Sequence, residues 1–393
     1  MNAPALDPLI VRAAERETTI RTLVVLGNTV TALAVARDAA AHGLGAVLVD
    51  TNDGVAFRTR RAGKHLLPGA DEPAVLERLL GLARQTPSAL IASGDVWLRF
   101  LMRHREVLDR AFVSVLHPGN AALETCLSKA AFARFCRTQG LDAPLAWLAG
   151  TEPRPPELHV PVLIRPAETL HGRDGHGLPK AVEARTEQEL ADWLARFAAA
   201  GIQPLVTESL LAEAVVQYSV PSVRAGGKVV TFVARKLRPA PESCAVGTYV
   251  ELSPETAVES LARRTLDALD YQGIAEVEVL HVPRTGRNYL IEVNARPWLQ
   301  YALAPASGHD FLGLVTRRPL PGEAAPRKTG VRWIDFRADL FACWSRSMGM
   351  VRNGKLDALT YLRSLARANV FAVFAWADPG PWLARTLRIG GSR

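Results

Sequence analysis

Residues 273–298, GIAEVEVLHVPRTGRNYLIEVNARPW, decide how this chain folds. Their two arms alternate apolar and polar positions, the period of a half-buried strand. The segment Pro283-Arg-Thr-Gly-Arg-Asn288 between them has the composition of a turn. A fold-back symmetric about Thr285 sets Glu278 opposite Glu292 and Glu276 opposite Asn294, with all four on one face. Directly opposed like charges destabilise a ladder. Two carboxylates so placed predict a cation between them, and a divalent metal is the usual one.

The 393 residues, 48% of them hydrophobic, suffice for two or three domains with a sizeable core. No apolar run approaches the roughly 20 residues that span a bilayer. Residues 1–20 lack the basic segment and apolar core of a secretion signal. Both points predict a cytoplasmic protein without an integral membrane segment. Cys126, Cys136, Cys244 and Cys343 show no zinc or redox spacing and read as free thiols. The net charge is +8. Its basic residues read as spread along the chain, with no dense block and little aromatic interleaving. That argues against nucleic acid and suits anionic small molecules.

After a flexible leader, the apolar strand 21–28, a helix 29–42 and the strand 43–50 form a β-α-β unit. A strand at 89–95, a helix at 96–111 and a strand at 112–119 extend it into a parallel, doubly wound layer. Only Gly27 of a dinucleotide fingerprint follows the first strand, so NAD binding has little support. One amphipathic helix is expected over 121–140, closed by Gly140. Beyond a proline-rich connection at 150–161, paired strands with interspersed helices read as α+β. These include a hairpin over 215–238 that turns at Ala225-Gly-Gly-Lys228. After residue 318 a helix is expected to open at Trp333-IDFRADL-340. Phe371-AVFAWADPGPW-382 mixes aromatics with a turn.

Several polar groups are placed for chemistry. The loop 168–177, with Gly172, Gly175 and Gly177, suits backbone that closes over phosphates. Arg165 beside it suits phosphate oxygens, and its plain structural role is a surface ion pair. His171 and His176 lie in the same loop at a spacing that fits no common ligand pair. Lys129 is a single lysine on a helix. Arg235 and Lys236 end a strand and point to opposite faces, so one of them reaches a given site. There it can meet a phosphoryl group or a carboxylate, or the pair serves only as edge-strand charge. The strongest pattern is Glu292-x-Asn294-x-Arg296. A carboxylate and an amide oxygen suit Mg2+, and a guanidinium two residues on stabilises developing charge.

In this order the elements resemble the ATP-grasp superfamily, most closely its carboxylate–amine ligase branch. The resemblance covers roughly residues 20–300. It rests on Lys129 before Gly140-LDAP-144, on Pro161-VLIRP-166, on the glycine-rich loop, on Thr207-ESLL-211 and, most specifically, on Leu290-IEVNARPW-298. It implies α/β plus α+β architecture. A Rossmann-like pre-ATP-grasp domain (21–120) follows the leader (1–20). A two-subdomain ATP-grasp domain (121–318, lid at about 145–210) and a C-terminal helical extension (319–393) come next. It further implies ATP as cofactor, with Lys129 and Arg165 on the phosphates. Glu208, Ser209, Leu210 and Leu211 would lie along the adenine, and Glu213 on the ribose. Glu278, Glu292 and Asn294 would hold Mg2+ (or Mn2+), and Arg296 would act on the acyl phosphate. Arg165 stands where the family usually has Lys, and Thr207 where it often has Gln. The implied reaction joins a small-molecule carboxylate to an amine with release of ADP and phosphate. The alternatives are a non-catalytic nucleotide-binding protein of this fold and an NAD-dependent enzyme that uses the first layer. The extension reads as a cap over the site, a homodimer contact or a contact to a membrane-bound partner.

Overall fold

The computed structural model describes residues 19–168, 177–211, 213–240, 246–318, 320, 327–345 and 349–387. The first layer contains β1 (Thr22–Leu26), α1 (Val30–Ala41), β2 (Gly45–Asp50), β3 (Gly63–Leu66), α2 (Glu72–Gln85) and β4 (Ser88–Ala92). It closes with α3 (Asp95–Arg103), α4 (Arg105–Ala111) and β5 (Ser114–Val115). The five strands are parallel in the order β3-β2-β1-β4-β5. β1 and β4 are nearly all apolar and buried, as strands covered by helices on both faces must be. Gly27 ends β1 at φ +140°, and a Cβ there would lie 2.0 Å from Ser93 Oγ. The close approach of β4 therefore accounts for this glycine without a nucleotide.

Two helices expected as continuous are each broken. The 96–111 segment divides at His104. The 121–140 segment divides into α5 (Asn120–Leu127) and α6 (Lys129–Thr138). Ser128 leaves the helical region, caps α6 through Ala131 N–H, and forms a bridge to Glu168. Apolar periodicity alone cannot see this break, because a serine hydroxyl replaces the lost helical bond.

A four-stranded antiparallel sheet follows, made of β6 (Ala146–Leu148), β7 (Val162–Pro166), β8 (Val182–Ala184) and β9 (Pro204–Glu208), in the order β6-β9-β7-β8. With α7 (Glu187–Ala199) it has a core of its own, built on Val162, Ile164, Leu190, Phe197 and Val206.

The largest sheet contains β10 (Val216–Ala225), β11 (Lys228–Thr231), β12 (Ala234–Ala240), β13 (Val246–Leu252), β14 (Gly273–Val282) and β15 (Arg287–Asn294). Here α8 (Thr256–Ala268) precedes β14, and α9 (Leu303–Ala306) and α10 (Phe311–Thr316) follow β15. The sheet runs β15-β14-β10-β12-β13-β16-β17, with β11 folded onto β10. The last two strands, β16 (Arg332–Ile334) and β17 (Val370–Phe371), come from the segment expected to be a helical extension. Trp333 is fully buried on β16, so Trp333–Leu340 opens as a strand and only then as α11 (Phe336–Trp344). α12 (Ala358–Arg367) and α13 (Gly380–Leu387) complete the tail.

This sheet and the first layer share their apolar cores. One cluster unites Leu23, Leu33 and Ile91 with Val223, Trp298, Tyr301 and Trp333. Trp298 and Tyr301 are therefore core residues, and Tyr301 Oη donates to Asp38 at 2.7 Å. Asp378 ties the tail back to the first layer, accepting from Arg37 (3.0 Å) and Thr59 (2.6 Å).

Candidate active site

The β14–β15 hairpin pairs Glu278 with Glu292 and Glu276 with Asn294, the register read from the sequence. Nearer the tip the symmetry differs. Val279 faces Leu290 and Val282 faces Arg287, so the turn centres between Arg284 and Thr285, and Ile291 is an extra residue. This bulge keeps the acidic pairs in place while offsetting the strand below them.

Glu276, Glu292 and Asn294 share a network with Ser219, Arg296 and Asp95, and Glu278 pairs with Lys236. Asn294 Nδ2 donates to Glu276 (3.0 Å) and to Glu292 (3.2 Å). Ser219 on β10 donates to Glu276. Lys236 Nζ lies 2.9 Å from Glu278 Oε2, with its side chain buried. Arg296 Nη2 donates to Asn294 Oδ1 at 3.2 Å, and its Nε donates to Asp95 at 2.5 Å.

Alternation divides Arg235 from Lys236. β12 meets β10 at Ala234–Ser219 and Arg235–Tyr218. Ser219 belongs to the acidic face, so Lys236 does as well, whereas Arg235 is exposed on the opposite face. The expected role for Arg235 at this site is withdrawn on that geometry.

Burial, and then the Glu278 charge, push the Glu292 carboxyl above the usual range. Glu278 is raised by burial and by Glu276, with Lys236 opposing. Lys236 remains charged, because Glu278 and Glu276 outweigh its burial. Arg296 is likewise held charged against burial by Asp95. The pocket thus holds two carboxylates that repel each other.

Among the described residues no three His, Cys, Asp or Glu side chains converge as a metal cage. Mg2+ does not require one: it keeps several waters and takes one or two carboxylates together with substrate phosphates. The carboxylates of Glu278 and Glu292, whose repulsion Lys236 offsets only in part, fit that ion, with Asn294, whose amide oxygen accepts from Arg296, beside them.

Beside the acids lies a small cleft of about 30 Å³ between the small sheet and the hairpin. Lys129, Phe132, Arg165, Thr207, Leu290 and Ile291 help line it. Burial and the Arg165 charge both lower the Lys129 pKa, and Glu292 works against them. Two cations close enough to repel make an anion site. Glu208 ends β9, donating its N–H to Leu145 at 2.9 Å, and Ser209 Oγ donates to Glu183 at 2.5 Å. Leu210 and Leu211 continue half-buried from there, and Glu213 is ion-paired with Arg284 at the hairpin tip (2.7 Å). Gly177 has φ +65°, while Gly172, Gly175, His171, His176 and Cys244 lie outside the described residues. Cys126, Cys136 and Cys343 are free thiols.

Three site residues escaped sequence reading. Asp95 opens α3 at the C-terminal end of β4, a place where doubly wound sheets carry ligand-facing groups, and that position was the available signal. Ser219 gave no signal. His117 is fully buried under β15: Ala92 N–H donates to its Nε2 (2.7 Å), and its Nδ1–H donates to Ala295 O (3.0 Å). Burial pushes its pKa down to about 4.

No model of a known protein family matches the chain. D-aspartate ligase of Enterococcus faecium is 23% identical over 281 residues, 64% of this chain and 65% of that protein. The chain thus spans somewhat less than two thirds of that relative's length. The L-amino acid ligase of Bacillus licheniformis superposes with a TM-score of 0.58 at 15% identity, covering 78% of each chain. The ADP complex of PurK, N5-carboxyaminoimidazole ribonucleotide synthetase, gives a TM-score of 0.62 at 16% identity over 79% of this chain and 80% of that one. The chain has the ATP-grasp fold: a Rossmann-like layer, a small antiparallel sheet with its own core, and a large sheet carrying the acids. The three proteins named here are two ligases and a synthetase.

Proposed function

We propose that the protein is an ATP- and Mg2+-dependent ligase that activates a carboxylate as an acyl phosphate and joins it to an amine. The observation that carries this reading is the placement of Glu278, Glu292, Asn294, Lys236 and Arg296 on one sheet face, beside the Lys129–Arg165 cleft. A carboxylate is a poor electrophile. Transfer of the γ-phosphoryl group from ATP to a carboxylate oxygen creates a good leaving group and releases ADP. The amine nitrogen then forms the C–N bond, loses its proton, and phosphate departs.

In the first step both reactants, ATP and the carboxylate, are anions, so that barrier is largely electrostatic. Lys129 and Arg165 are the phosphate-binding cations. Glu278, Glu292 and Asn294 would hold Mg2+, which would supply positive charge beside the phosphoryl oxygens. Lys236 and Arg296 bring the remaining positive charge to the acyl centre. Glu208 to Leu211 form the adenine edge and Glu213 the ribose contact. The small sheet, with its separate core, is the element suited to close over the site.

The test is ADP release from the purified protein with pairs of carboxylates and amines. D-aspartate, the acid named in one relative, and other amino acids belong among the carboxylates. ADP formation that needs both partners supports the ligase. Binding of ATP without turnover for any pair favours a nucleotide-binding protein. Unchanged ADP release in Glu292→Ala sinks the metal-site assignment.

A further inference from the structure

The chain's positive charge is not spread evenly, contrary to the expectation from the sequence. Residues 336–393 hold nine Lys and Arg against three Asp, which is six of the eight net charges. Of those acids, Asp339 and Asp378 are buried and turned inward. Asp339 accepts from Arg238 at 2.7 and 3.0 Å, and Asp378 from Arg37. Asp357 caps α12. Among the described residues of this segment, Asp357 is then the one exposed acid, against exposed Arg337, Arg352, Lys355, Arg363 and Arg367.

The same surface is rich in exposed apolar side chains. On α11, Phe336, Leu340 and Trp344 recur at four-residue spacing, with Phe341 beside them at 59% exposure. On α12, Leu359 and Leu362 face outward while Tyr361 is the buried residue. Trp376 is 89% exposed, and Trp382, Leu383 and Leu387 line α13. These elements adjoin: the Trp344 and Tyr361 rings lie 5.9 Å apart, and Arg385 on α13 reaches Asp335 at the head of α11 (3.0 Å). Arg363 and Arg367 flank the α12 leucines and are exposed.

We propose that this C-terminal face binds the surface of an anionic lipid bilayer. Trp, Phe and Leu side chains set among arginines are what an interfacial helix presents: the rings enter the headgroup boundary while the guanidiniums pair with lipid phosphates. A second copy of the chain is the competing occupant. A two-fold interface through this patch would set the basic surface against itself, with two of its three acids already sequestered. An anionic lipid surface complements it instead. None of the described helices is long and apolar enough to cross the membrane, so attachment would be peripheral.

The test is co-sedimentation of the full chain with vesicles of phosphatidylcholine alone or mixed with phosphatidylglycerol. Binding is expected to the mixed vesicles only, and to be lost at about 0.5 M salt. Arg363→Glu/Arg367→Glu and Phe341→Ser/Trp376→Ser should each weaken it at least about tenfold. Both variants should keep the wild-type melting temperature and solution activity. The proposal is overturned by absence of binding to anionic vesicles at low salt, or by both variants binding like wild type. It is also overturned if the chain sediments as a dimer that Phe341→Ser/Trp376→Ser converts to monomer, which would make a second copy the occupant.

Discussion

Arg296 Nε lies 2.5 Å from Asp95 Oδ1, and that bond joins the first layer to the acidic strand of the large sheet. The guanidinium also reaches the amide oxygen of Asn294. Two acceptors from different layers thus fix the orientation of one cation. Asp95 is a positioning residue for Arg296, and loss of its charge should be felt in turnover.

Asp95→Asn should therefore lower kcat for ADP release by about 10- to 100-fold, with a smaller change in KM for ATP. Steady-state kinetics on the substrate pair found by screening will show this. A variant with wild-type kcat would mean that Arg296 is held without Asp95.

Lys236 and Glu278 form a buried ion pair, so neither can be removed alone without leaving the other charge stranded. Lys236→Met should cost about 3–5 kcal/mol in denaturant unfolding. Combining it with Glu278→Gln should recover a large part of that loss. Additive effects in the double variant would show that the two charges do not act as a pair.

Glu278 and Glu292 both have raised pKa values. Burial and mutual repulsion disfavour ionising both at once, and Lys236 offsets that only in part. Their contribution to stability is complete below the ordinary carboxylate pKa and is lost as pH rises through the raised one. Mg2+ should relieve that repulsion, so the increase in Tm on adding Mg2+ should grow from pH 5 to pH 8. Thermal scans with Mg2+ or EDTA measure it, and an increment independent of pH would contradict the site.

His117 behaves in the opposite sense. The folded protein keeps it neutral down to about pH 4, whereas the unfolded chain protonates it near 6.5. Its stability contribution is complete above pH 6.5 and falls by about 3 kcal/mol as pH approaches 4. His309, also lowered to about 4, titrates in the same direction. For His42, burial opposes protonation, but hydrogen bonds to Asp310 and Asp38 raise its pKa to about 10, so its contribution is complete at the acid end and begins to fall only as pH rises past about 6.5. The measurement is therefore the difference in unfolding free energy between wild type and His117→Asn across pH 4–7. A constant difference would rule out a neutral His117.

The acidic hairpin was legible because strand alternation and a turn signal act over a few residues. Its register at Glu278 and Glu292 agrees with the structure even though Ile291 is bulged. The break at Ser128, the strand at Trp333 and the basic C-terminal face were not legible. Each depends on a partner far along the chain: Glu168 for Ser128, Tyr249 to Glu251 for β16, and Arg238 and Arg37 for the acids that face inward.

Local patterning by itself determined the hairpin, the doubly wound layer and the identity of the acids, because side-chain period and turn chemistry are properties of neighbouring residues. Only the tertiary structure decided that Lys236 and not Arg235 joins those acids, that Asp95 orients Arg296, and that Lys129 meets Arg165. Those choices depend on which strands become neighbours and which face each strand turns inward, and long-range packing sets both.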